Sequence, residues 1–167
     1  KVQEMVAKQE AMPKDIQWHL VGHLQTNKIK YIIPFVSLIH SVDSQKLLEA
    51  IDKEAGKKSR VVDCLLQVHI AQEETKFGFD RDELLSLVNS GALASYRSVR
   101  VVGLMGMASF TDDEAQVRAE FRGLHDLFLE MKPVFGAQFT QLSMGMSGDY
   151  LLAIEEGSTM VRVGSSI

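Results

Sequence analysis

The sequence predicts an α/β fold, a (β/α)8 barrel of the TIM type that here lacks its first two strands. Three observations carry this expectation. Short apolar runs with a β-branched share alternate with helical patterns along the chain. No Asn-Gly hairpin signal separates them. The run at 61–70 is apolar almost throughout, as in a strand covered on both faces.

The elements follow in order. Residues 1–12 read as helix, with Val2, Met5, Val6 and Gln9 at helical spacing. Residues 16–24 form the first apolar run, read as a strand. Residues 27–33 are a short helix stopped by Pro34. A second strand spans 35–40. Ser41, Asp43 and Ser44 then offer N-cap oxygens for a helix at 45–55, whose Leu47, Leu48 and Ile51 make one apolar stripe and which Gly56 closes. The third strand is 61–70. Asp80 caps a helix at 81–89, and 99–105 is the fourth strand. Thr111, Asp112 and Asp113 begin a long helix with Val117, Phe121, Leu124, Leu127 and Phe128 inward, and Pro133 ends it. Residues 139–143 are the fifth strand. A helix then starts at Ser147 and stops at Gly157, and 160–163 is the sixth strand. Six such units suit either an open doubly wound sheet or a barrel with two units more.

Bulk properties exclude several classes. The 167 residues, 46% hydrophobic and 24% charged, read as one domain over 1–167. A formal net charge of −4 argues against a general nucleic-acid binder. No apolar run approaches the roughly 20 residues of a membrane helix. The one cysteine, Cys64, lies in an apolar run and reads as a buried thiol of a reduced, cytoplasmic setting. The chain opens inside an amphipathic helix without a methionine, so residues are expected to be missing in front, with a few more beyond the last strand.

The chemistry concentrates in the last two units. Leu142-Ser143-Met144-Gly145-Met146-Ser147-Gly148-Asp149 and Gly157 to Ile167 both run from a short strand into a turn rich in Gly and Ser. Gly lets a backbone approach a ligand closely, and Ser supplies a hydroxyl donor. Backbone N–H groups at a helix start would add donors. These are the needs of a phosphate dianion. In (β/α)8 barrels the loops after the seventh and eighth strands often hold phosphate. Two ordinary βα turns would read the same way.

Several motifs narrow the choice. Trp18-His19-Leu20-Val21-Gly22-His23-Leu24-Gln25-Thr26-Asn27-Lys28 comes first. His40-Ser41-Val42-Asp43-Ser44, Glu74-Thr75-Lys76-Phe77-Gly78 and Gly103-Leu104-Met105-Gly106-Met107 follow, then the two turns above. In this order they resemble the signatures of the pyridoxal-phosphate homeostasis proteins, over the length of the chain. The resemblance implies a single-domain barrel of the alanine racemase N-terminal type, a monomer when intact. It implies pyridoxal 5′-phosphate held on a lysine near the end of the first strand, in a protein that stores and distributes the cofactor and balances amino and keto acids, without established turnover. Carried over residue by residue, it places Ser147, Gly164 and Ser165 on the phosphate, with the backbone around Met146, and Arg162 at the pyridine nitrogen. The family often has Thr where Ser165 stands. No lysine of this sequence matches the anchoring one. An amino-acid racemase or decarboxylase on the same barrel is the alternative, and a barrel enzyme acting on sugar phosphates is a third.

Other signals have plainer readings. His19 and His23, four apart, could hold zinc on a helix, but their run is strand-like. His69 reads as a hydrogen-bonded rim residue and Trp18 as a packing anchor. Met105, Met107, Met144 and Met146 could line a pocket or fill the core. Glu73, Glu74 and Lys76 read as a solvated loop. Arg162 could instead pair with Glu155 on the rim.

Overall fold

The structure, a computed structural model, describes residues 1–74 and 77–164. Its strands are β1 (Trp18–Leu20), β2 (Val36–Val42), β3 (Val62–Gln67), β4 (Val99–Met105), β5 (Gln141–Met146) and β6 (Met160–Arg162). Each pairs in parallel with the next, and the order across the sheet is the order along the chain. A doubly wound sheet reverses its strand order at a switch point. This sheet never reverses. It curls in one direction instead, until His19 and Val21 of the β1 segment face Met160 and Arg162 of β6 across one cleft.

The helices are α1 (Val2–Ala11), α2 (Ile29–Ile32), α3 (Gln45–Lys57), α4 (Arg81–Asn89), α5 (Glu114–Phe135) and α6 (Tyr150–Glu155). They cover one face of the sheet. Ile51 of α3, Leu84 of α4 and Phe121 of α5 pack there with Ile39, Leu66, Leu104 and Leu142, all fully buried. Burying each such side chain contributes about 1.5–3 kcal/mol, which is why the apolar stripes dock on the strands. The concave face carries its own apolar set: Leu38, Leu65, Val102 and Met105, with Val21 and Met160 against them. Cys64 lies on the helix side, buried and unpaired, and burial pushes its thiol up.

Ser44 caps α3 by accepting the Leu47 N–H, and Asp113 caps α5 by accepting that of Gln116. Asp80 and Glu83 cap α4 reciprocally. Trp18 packs edge-on against Phe35, with ring centres 6.3 Å apart.

The structure corrects several boundaries; the third strand, for one, spans only Val62–Gln67. The first strand stops at Leu20 rather than residue 24, because the Gly22 carbonyl turns out of the sheet to accept the Ser41 hydroxyl at 2.7 Å. Gly56 does not close α3. The helix runs to Lys57, and Ser59 (φ 52°) supplies the left-handed residue beyond it. Pro133 lies inside α5, which continues to Phe135. So near the end, the missing proline N–H frees only the carbonyl of Leu129, a half-exposed residue that water can reach. The fifth strand starts at Gln141 rather than 139, because Phe139 is fully buried in a stack with Phe128 and Phe135 ahead of the strand.

Candidate functional site

In a sheet of parallel strands, the C-terminal strand ends share one rim. Arg162 closes β6 there. One guanidinium nitrogen, Nη2, donates to the Gly106 carbonyl just past β4, at 2.9 Å. Its Nε and Nη1 are buried and meet no hydrogen-bond partner among the described residues. Burial pushes the Arg162 pKa down to about 10, with nearby Asp149 acting in the other direction, so the group stays cationic at neutral pH. The rim-pair reading with Glu155 fails: Glu155 pairs with Arg118, at 2.8 Å. A buried cation with two idle donors is costly, and an acceptor entering the cleft relieves that cost.

The two Gly- and Ser-bearing turns meet beside it. The Gly164 N–H donates to Ser147 Oγ at 3.3 Å. Gly145 (φ 106°) lets β5 enter its turn: a Cβ there would lie 2.7 Å from that of Ala153 on α6. The helix expected at Ser147 begins only at Tyr150, because residues 147–149 form a turn closed by Asp149. The Met146 N–H donates to Asp149 Oδ1 at 2.7 Å, so this backbone donor already has a partner, and the Met146 side chain is exposed. Ser165 lies outside the described residues, as does Lys76.

A second polar feature crosses the concave face. His19 Nδ1 lies 3.0 Å from His40 Nε2, and His40 Nδ1 lies 2.9 Å from Ser143 Oγ. His40 and Ser143 are buried, and burial with the neighbouring His19 and Arg162 pushes the His40 pKa down to about 3. Burial also lowers that of His19. No motif reading anticipated this chain; its signal was polar residues at inward strand positions. His23 turns away to Asp43, 3.6 Å off, and no cluster of three metal-ligating side chains occurs among the described residues. Met105 and Met144 are fully buried, whereas Met107 and Met146 are exposed.

His19, His40, Arg162 and Gly164 line one open cleft of about 590 Å³. A second cleft of about 590 Å³, between the loops after β4 and β5, is lined by Asp112, Glu114 and Asp149 with the wholly exposed Phe110, and Ser147 lines this cleft rather than the first. Its acids disfavour an anion. The histidine–arginine cleft favours one.

The family model for the N-terminal domain of alanine racemase matches residues 1–167. A pyridoxal phosphate homeostasis protein of Aquifex aeolicus is 40% identical over 166 residues, covering 99% of this chain and 72% of that protein. The chain belongs to the pyridoxal phosphate homeostasis proteins, within the alanine racemase N-terminal domain family. A second such relative, from Schizosaccharomyces pombe, is 36% identical and is covered over 70% of its length. Among solved structures, PipY of Synechococcus elongatus without PLP aligns with a TM-score of 0.90 at 36% identity, covering 99% of this chain and 77% of PipY. PipY has also been solved with PLP bound, and that structure aligns with a TM-score of 0.85. Alanine racemase from Bartonella henselae aligns with a TM-score of 0.67 at 14% identity, a likeness of fold alone.

Proposed function

We propose that the histidine–arginine cleft binds pyridoxal 5′-phosphate, and that the protein serves homeostasis of this cofactor and of amino and keto acids. The observation that carries the reading is Arg162, a buried cation with two donor nitrogens unpartnered among the described residues, beside the joined turns of Ser147 and Gly164. Relatives carry that name, and PipY has been solved with PLP bound. In this reading Ser147, Gly164 and Ser165 hold the phosphoryl group, and Arg162 faces the pyridine nitrogen. Met146 contributes only if its N–H exchanges Asp149 for the ligand. When bound, the cofactor supplies an electron-accepting ring. Arg162, a donor with no acceptor, keeps the ring nitrogen unprotonated and so weakens that sink, which suits a carrier more than a racemase or decarboxylase.

The same reading takes residues 1–167 as one domain and the six strands as consecutive members of an eight-stranded cylinder. It places the protein in the cytoplasm as a monomer without nucleic-acid partners. No helix among the described residues is long and apolar enough to cross a membrane.

Titration with pyridoxal 5′-phosphate, followed by absorbance and by quenching of Trp18 fluorescence, tests the site. Arg162→Gln is expected to weaken binding about 10- to 100-fold, the range for a hydrogen bond to a charged group. Unchanged affinity in that variant overturns the assignment.

A further inference from the structure

Three side chains from β1, β2 and β5 join in the interior. Each link of the Ser143–His40–His19 chain carries one proton, so two neutral arrangements are possible. In the first, the Ser143 hydroxyl donates to His40 Nδ1, His40 Nε2–H donates to His19 Nδ1, and His19 carries its own proton on Nε2. In the second every bond is reversed. His19 Nδ1–H donates to His40 Nε2, His40 Nδ1–H donates to Ser143 Oγ, and His19 Nε2 is bare.

The surroundings choose between them. Ser143 is 0% exposed, and its only side-chain partner among the described residues is His40. In the second arrangement the hydroxyl proton is buried without an acceptor, which carries the full desolvation penalty. In the first, every polar atom of Ser143 and His40 is used once. A third possibility, a protonated His40, is opposed by its burial and by the charge of Arg162. The Arg162 guanidinium adds no acceptor. The first arrangement therefore prevails.

The consequence appears at the open end. His19 lines the cleft with Arg162 and Gly164, and its Nδ1 is engaged by His40. We propose that Ser143 and His40 act as positioning residues that fix His19 as an Nε2–H donor to the cleft, where it binds an oxygen of the ligand. This rests on the reading of the cleft as the pyridoxal 5′-phosphate site. The cleft then offers donors of two kinds: the idle guanidinium N–H groups, and an imidazole N–H whose direction is set from β2 and β5. It selects for a ligand with acceptors on its ring or carbonyl as well as on its phosphoryl group.

The test uses the full chain labelled with ¹⁵N. Long-range ¹H–¹⁵N spectra distinguish the two imidazole tautomers. Without ligand, His19 and His40 are both expected as Nε2–H. Ser143→Ala removes the donor that polarises the chain and leaves the fold's backbone bonds intact, so His19 is expected to become a mixture of tautomers. On adding pyridoxal 5′-phosphate, the His19 Nε2 resonance of the parent shifts. Affinity falls about three- to ten-fold in His19→Ala, the loss of one neutral hydrogen bond. An Nδ1–H tautomer on His19 overturns the proposal, as does a Ser143→Ala variant whose tautomers equal the parent's. Binding that leaves the His19 signal unmoved overturns it while the proposed function stands. If the parent binds no pyridoxal 5′-phosphate, the proposed function fails, and the ligand-free tautomers still decide for or against the chain.

Discussion

His40 makes stability depend on pH above the range where carboxylates titrate. Its pKa falls from 6.5 to about 3 in the folded protein, because burial and then the neighbouring His19 and Arg162 oppose the charged form. Above pH 6.5 His40 is neutral whether the chain is folded or not, and contributes nothing. Below it, the unfolded chain takes up a proton that the folded one refuses, so unfolding is favoured as pH falls towards 3. Between about pH 6.5 and pH 5 the loss is about 2 kcal/mol, from 1.5 pH units at 1.36 kcal/mol each. His19, shifted in the same direction, adds to it. Glu4, Glu73, Glu130 and Glu156 have pKa values below the ordinary carboxylate value and enter only at lower pH. The assay is urea unfolding of the parent and of His40→Gln at about pH 7 and about pH 5. The variant is less stable at both, but the quantity of interest is the difference between them, which shrinks by about 2 kcal/mol. An equal pH dependence in the two proteins refutes the reasoning, since it means that folded His40 takes up protons as readily as unfolded His40.

Three further perturbations have defined outcomes. A Cβ on Gly103 would lie 1.7 Å from the Gln141 carbonyl oxygen of the paired strand, so Gly103→Ala is expected to cost about 3 kcal/mol or more in urea unfolding and to disturb the β4–β5 pairing. Asp80→Ala removes the acceptor for the Glu83 N–H, 2.8 Å away, and half of the α4 capping box; about 1 kcal/mol of stability is lost, measured the same way. Asp149→Asn keeps an oxygen for the Met146 N–H but removes the carboxylate that faces Arg162, so pyridoxal 5′-phosphate binds several-fold more tightly, as titration would show. A weaker complex there would mean that Asp149 serves mainly to orient Arg162.

What the sequence made legible is what depends on neighbours in the chain. Leu47, Leu48 and Ile51 mark the buried side of α3 by their spacing alone, and Asp80 with Glu83 spells out a helix start. The same logic misplaced the end of α5, because whether Pro133 stops a helix depends on where the freed carbonyl points, and Leu129 faces solvent. The site divides in the same way. Ser147 and Gly164 stand out as turn residues, and they meet. The reading of Met146 as a backbone donor did not foresee Asp149, three residues on, folding back onto that N–H.

The histidine chain was illegible for a stronger reason. Its members lie 21 and 103 residues apart, and nothing local marks His40 or Ser143 as polar groups that will be buried together. They come together because an unreversed parallel sheet curls, and curling turns inward positions of distant strands onto one another. A flat sheet of the same sequence would leave both groups facing water, where neither would need the other. Curvature thus creates the demand for a partner and supplies it, and the same curvature buries two donor nitrogens of Arg162 without supplying theirs among the described residues. Satisfied groups hold the curl of the sheet. The unsatisfied ones mark the site proposed for the ligand, at the mouth of the sheet beside Gly106 and Gly164.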